Sequence, residues 1–452
     1  MASKLLSNTL PRAAFSNKFV RPLATAATQS TRTTVLPNGF TVATEEHGNT
    51  GTSTVGVWIN AGSRAESAST NGAANFLEVA ALKNTASTFE KLGGGLNANT
   101  TREQTYFSTQ ANNANLDATV AGLSELISGD INNIESVRGS VFKQQAANDK
   151  CLEQVTFDHL HAMAYQGEAL GRPVAGVKET VEALTKDDLS AFKKENYTAD
   201  RMVLVGAGNV DHDALVRLAE KSFGQLTAAG SAATSGAKPI FTGSEVRLRD
   251  DVLPQAHIAL AVEGASYLSA DYFTLAVMSS LIGSWNQNLG AAANLSSRLS
   301  TITHENHLAN SFVSFNKGYK DTGLWGLYFA SDNKLQLDDF VHFAQKEWIR
   351  LSTTVTASEV ERAKQQLQAS LLLQLDSNDA IAQDIGAQVL VSGKRMSADE
   401  LKQAVQAVSL ADVRKAGDKY LWDQEVVVAG VGPVEALTDY TRVRGNMAYN
   451  RF

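Results

Sequence analysis

Short apolar runs alternate along this chain with longer segments whose apolar residues recur at a helical spacing. Thr33-Thr-Val-Leu-Pro-Asn-Gly-Phe-Thr-Val-Ala43 sets Pro-Asn-Gly between two apolar stretches, which predicts a hairpin. Thr54-Val-Gly-Val-Trp-Ile59 continues as a strand. Val246-Arg-Leu-Arg249 and His257–Val262 repeat the strand-strand theme later, and a helical pattern follows from Asp271. Thr356-Ala-Ser-Glu359 has the form of a capping box and precedes Leu367, Leu371 and Leu375; a long amphipathic helix is expected there.

A duplication organises these elements. Arg201-Met-Val-Leu-Val-Gly-Ala-Gly-Asn-Val-Asp-His212 and Glu425-Val-Val-Val-Ala-Gly-Val-Gly-Pro-Val-Glu-Ala436 align without a gap, pairing Asp188 with Asp412, Val203 with Val427, Gly208 with Gly432 and Val210 with Val434. Each copy reads as a polar helix followed by an apolar strand ending on glycine. So long a period marks two homologous halves and not a solenoid, whose units run about 20 to 50 residues. The stretch 224–243 is rich in Gly, Ala, Ser and Thr and reads as a flexible linker. The expected organisation is an N-terminal targeting segment over 1–28, one half over 29–223, the linker over 224–243 and the second half over 244–452. Each half mixes strands with helices, so the fold class is α+β, two homologous sandwich-type halves.

Composition narrows the function. The 452 residues carry 40 Lys and Arg against 47 Asp and Glu, a net charge of -7, which argues against nucleic acid as the main partner. No apolar run reaches the roughly 18 to 20 residues of a membrane span, so membrane association is expected only through partners. The single cysteine, Cys151, excludes an intramolecular disulfide. Charge is uneven: no acidic residue precedes Glu45, while Lys4, Arg12, Lys18, Arg21 and Arg32 are basic among many Ser, Thr and Ala. That start reads as a mitochondrial presequence.

Asn71-Gly-Ala-Ala-Asn-Phe-Leu-Glu-Val-Ala-Ala-Leu-Lys83 resembles the inverted zinc motif of the mitochondrial processing peptidase family, His-x-x-Glu-His on a helix. Ligands at i and i+4 share one helical face, and the glutamate between them takes a proton from zinc-bound water. Here the ligand positions hold Asn75 and Val79, with Glu78 retained, and counting back from Phe157–Gln166 puts Gln144 at the third ligand position. Valine has no lone pair to offer, and an amide oxygen is a poor replacement for imidazole. The resemblance covers nearly the whole chain from about Thr33, including Glu90–Tyr106 and Ala309–Tyr328. Gly243–Asp251 and Leu421-Trp-Asp-Gln424, with the altered helix, look most like the core subunits of respiratory complex III.

That resemblance implies an inactive peptidase homologue without catalytic residues, metal or cofactor. It also implies a non-catalytic core subunit, peripheral on the matrix side of the mitochondrial inner membrane, needed for assembly of the complex that passes electrons from ubiquinol to cytochrome c. Its partners would be the second core protein, cytochrome b, cytochrome c1, the Rieske iron-sulfur protein and small subunits, in a dimeric complex. The competing reading is a subunit of a presequence-processing metallopeptidase, active or presequence-recognising. Gly290–Arg298 is only a short, alanine-rich remnant of the glycine-rich loop expected of the recognising subunit. Other residues have structural readings. His159 and His161 are two apart and point to different helix faces, His304 and His307 read as a surface pair, Gly93-Gly94-Gly95 as a tight turn, and Cys151 as an ordinary thiol.

Overall fold

The computed structural model describes residues 30–46, 51–130, 133–228, 238–288 and 297–449. The expected targeting segment, residues 229–237 of the linker and most of the alanine-rich stretch at 290–298 lie outside the described residues. Within them are fifteen α-helices and two six-stranded sheets. The first sheet contains β1 (Arg32–Val35), β2 (Thr41–Glu46), β3 (Thr52–Ile59), β4 (Leu96–Thr100), β5 (Thr105–Asn112) and β6 (Met202–Gly208), in the order β1-β2-β6-β3-β5-β4. The second contains β7 (Ser244–Arg249), β8 (Ala256–Gly264), β9 (Ser284–Asn286), β10 (Ser311–Gly318), β11 (Gly323–Ser331) and β12 (Val427–Gly432), in the order β7-β12-β8-β11-β10-β9.

The duplication expected from the sequence is visible in the pairing. β2 runs parallel to β6, and β6 antiparallel to β3; β7 runs parallel to β12, and β12 antiparallel to β8. Gly208 and Gly432 end the matching strands at φ of +106° and +103°, a left-handed conformation that only glycine adopts without strain. Each corner closes the same way: Val210 N–H donates to Gly208 O at 3.0 Å, and Val434 N–H to Gly432 O at 2.8 Å. The Pro37-Asn38-Gly39 hairpin forms with Gly39 at φ +87°, joining β1 antiparallel to β2. The Thr356 capping box is also present, opening the helix Ala357–Gln374.

One face of each sheet packs on its own half's helices, forming two large cores. The other face is covered by a helix from the opposite half. Ile381, Ala382, Ile385 and Val389 of the helix Asn378–Ser392 bury Ala43, Trp58, Val203, Val205 and Ala207 of the first sheet. Reciprocally, Phe157 and Leu160 of the helix Leu152–Ala164, with Tyr165 beyond its end, bury Ala259, Ala261, Leu324, Tyr328, Val427 and Ala429 of the second. Gly386 permits the closest crossing, because a Cβ there would lie 2.3 Å from the Trp58 indole. Polar ties complete the junction. Arg64 pairs with Glu103 at 2.6 Å and with Asp321, and Arg395, 4% exposed, joins Asp384 to Glu45.

Candidate functional site

The helix Ala73–Lys91 carries Asn75, Glu78 and Val79. Its first residues offer no capping side chain: Gly72, at φ +95°, stands at the cap. The orphan N–H groups are instead met by Glu66 from the preceding loop. Its carboxylate accepts from Gly72 N, Ala74 N and Asn71 Nδ2, each at 2.8 Å, and negative charge suits a helix N-terminus. Burial nevertheless prevails over these bonds and pushes the Glu66 carboxyl up to about 7. Arg172 holds the loop in place by donating to the Glu66 backbone carbonyl. Sequence reading missed Glu66. The available signal was an acid upstream of a helix whose cap position lacks Ser, Thr, Asp or Asn.

Glu78 is 5% exposed. Burial raises its carboxyl above the ordinary range, opposed by hydrogen bonds from the Thr100 hydroxyl and backbone N–H at the end of β4. β4 is an edge strand, paired on one side by β5, so the helix and a free sheet edge meet at Glu78 and Thr100. Asn75 is 3% exposed, and Val79 packs at the margin of the first core. The structure therefore brings the three helix positions into one neighbourhood.

Gln144 joins them from the helix Ile134–Asn148, which packs antiparallel to Ala73–Lys91. At one end of that contact Lys83 Nζ donates to Ser136 O at 2.9 Å and Ser140 Oγ at 3.3 Å. At the other, Gln145 Nε2 donates to Ala175 O and Gly176 O at 2.9 and 3.0 Å, and Gly176 abuts Gly72. This register sets Gln144 at about the level of Asn75. The side-chain oxygens of both, Asn75 Oδ1 and Gln144 Oε1, are buried without a hydrogen-bond partner.

This donor set does not fit zinc. Two neutral amide oxygens, a valine and one carboxylate provide neither imidazole nor thiolate. Among the described residues, no group of three or more His, Cys, Asp or Glu could hold a metal ion. On another face of the helix Ala73–Lys91, a cavity of about 260 Å³ is lined by Leu77, Ala81, Phe107, Leu126, Lys193 and Tyr197.

The buried and paired histidines singled out in the sequence lie elsewhere in the fold, on the helix Leu152–Ala164 and at 304 and 307. His161 is fully buried, with its ring nitrogens 2.6 Å from Phe157 O and 2.6 Å from Tyr319 Oη; burial beside Arg102 and Lys317 holds it well below its usual range. It cements the junction of the halves. His304 and His307 pack edge to face, with Trp285 against His304. Cys151 is exposed.

Comparison with known proteins locates this arrangement. The model for insulinase (peptidase family M16) matches residues 41–178, and that for the peptidase M16 inactive domain matches 183–367. The beta subunit of the mitochondrial-processing peptidase of Lentinula edodes is 46% identical, the alignment covering 98% of this chain and 99% of that protein. The Bos taurus beta subunit is 40% identical over 93% of this chain and 88% of its own length. Among solved structures, a chain of complex III2 from Candida albicans with Inz-5 bound matches with a TM-score of 0.85 and 31% identity, covering 92% of this chain and 99% of that one.

These relatives correct the expectation of an inactive peptidase homologue. Proteins 40–46% identical along nearly the whole chain are named as beta subunits of a peptidase. The side chains at Asn75, Val79 and Gln144 bear on zinc binding at this one place; they do not by themselves define the activity of such a subunit. Assignment as a non-catalytic core subunit gives way to a coarser statement, that the chain shares its fold with a chain of complex III2.

Proposed function

This chain belongs to the M16 peptidase family, and from that premise we propose that it serves in mitochondria as a beta-type subunit of a presequence-processing assembly. The observation that carries this reading is the end-to-end 46% identity to a processing-peptidase beta subunit, with nothing of that subunit's length left unmatched beyond about 1%. The chain's own contribution is to bind and orient an extended peptide. β4 offers backbone donors and acceptors on its unpaired side, and an added strand would gain affinity from main-chain hydrogen bonds whatever its sequence. It would lie beside Glu78 and Thr100, within the frame set by the two halves.

A second reading is favoured by the likeness to the Candida albicans complex III2 chain. In it, this chain docks on the matrix side of the inner membrane with a second core protein, cytochrome b, cytochrome c1 and the Rieske protein. No helix among the described residues is long and apolar enough to cross a membrane, so attachment there would run through those partners. Affinity purification of the tagged chain from mitochondria separates the readings. Capture of a second M16 subunit with presequence binding supports the first; stoichiometric b- and c-type haem in the purified assembly supports the second.

A further inference from the structure

Two of the buried side-chain oxygens that lack any partner, Asn75 Oδ1 and Gln144 Oε1, belong to two helices that pack together in a register that sets the two residues at about the same level. Glu78 is one turn from Asn75 on the same helix, a spacing that makes the two side chains neighbours. Such oxygens are costly, because a buried acceptor without a partner has given up its hydrogen bonds to water for nothing. Val79 and Gln144 are partly exposed, so the site borders the surface, although the two amide oxygens themselves are covered. It offers three acceptor groups, one of them the ionisable Glu78 carboxyl.

We propose that this pocket, which does not suit zinc, is a subsite for a primary ammonium group, such as a lysine side chain of a bound peptide; the choice of peptide rests on the function proposed above. An ammonium carries three donors and no acceptor, matching Asn75 Oδ1, Gln144 Oε1 and the Glu78 carboxylate. Its single charge balances the one carboxylate, and buried charges persist when paired and hydrogen-bonded. A hard metal ion fits less well. Calcium takes about six to eight oxygens, and magnesium demands a near-octahedral shell, more than these three side chains supply.

The test uses the full chain with its native partner. An acetylated, amidated alanine-rich peptide bearing one lysine is compared by calorimetry with the same peptide bearing norleucine. The lysine peptide should bind at least about tenfold more tightly, the scale of one charge-assisted hydrogen bond. Asn75→Leu and Gln144→Met should erase that preference while raising the melting temperature of the free protein, because each removes an orphan acceptor. Asn75→Asp, which keeps an acceptor, should retain the preference. Butylammonium against tetramethylammonium, which has no N–H donor, is the peptide-free arm: only the former should raise the melting temperature, and not in the two apolar variants. Equal affinity for both peptides together with equal shifts from both cations would overturn the subsite while leaving peptide binding intact. A butylammonium-specific shift without affinity for either peptide would support the subsite and sink the peptide-handling function.

Discussion

Replacing Ile385 by alanine tests whether the halves stabilise one another through their exchanged helices. Ile385 is fully buried and belongs to the second half by sequence, yet it packs on Ala43, Trp58, Val203 and Val205 of the first sheet. Truncating a buried isoleucine to alanine costs about 2–5 kcal/mol, the larger values where the site cannot collapse. Collapse is restricted here, since Gly386 already sits against the Trp58 ring. A cost near 3 kcal/mol corresponds to roughly 100-fold in an opening equilibrium. Hydrogen exchange followed by mass spectrometry should show amides of β3 and β6, more than 170 residues earlier in the chain, exchanging faster by about that factor. Leu160→Ala on the reciprocal helix should do the same to β8 and β12. Acceleration confined to 378–392, with β3 and β6 unchanged, would show that the helix rests on the sheet without supporting it.

Three further outcomes follow from the geometry. Gly386→Ala should destabilise by about 1–3 kcal/mol through overpacking against Trp58, read as a lowered urea midpoint with unchanged slope. Glu66, whose carboxyl is raised from 4.5 to about 7, binds more protons folded than unfolded between those values. Stability should therefore be greatest below pH 4.5 as far as this group is concerned, and fall by about 3 kcal/mol as pH rises to 7; Glu66→Gln should flatten that part of the urea-midpoint profile. Arg64→Ala leaves Glu103 and Asp321, 14% and 28% exposed, without their shared cation; a loss of about 2–3 kcal/mol in chemical denaturation is expected, below the full cost of breaking a buried pair.

The duplication was legible because its signal is local. Gly208 and Gly432 end apolar strands at corresponding places in two similar sequences, and φ near +105° explains why glycine stands at both. The Thr356 capping box is likewise confined to four residues. The exchange of helices was not legible, since periodicity identifies the buried face of Asn378–Ser392 but not the sheet it meets. The His161–Tyr319 bond spans 158 residues, and no pattern in sequence announces such a pair. At the candidate site, the resemblance pointed to Asn75, Glu78, Val79 and Gln144, of which the first three lie on one helix and Gln144 on a helix packed against it. What it could not show was that two of their oxygens are orphaned. The step from missing donors to a missing activity failed because it asked one pocket to speak for an assembly.

Fluorescence anisotropy of a labelled synthetic presequence, titrated with the native assembly purified through this chain, tests the proposed role most directly. Saturable, stoichiometric binding that unlabelled presequence displaces, and that a proline placed in β4 at Ala98 to disturb the edge weakens, is the expected result. An intact assembly that leaves the anisotropy unchanged at every concentration would contradict a peptide-handling function.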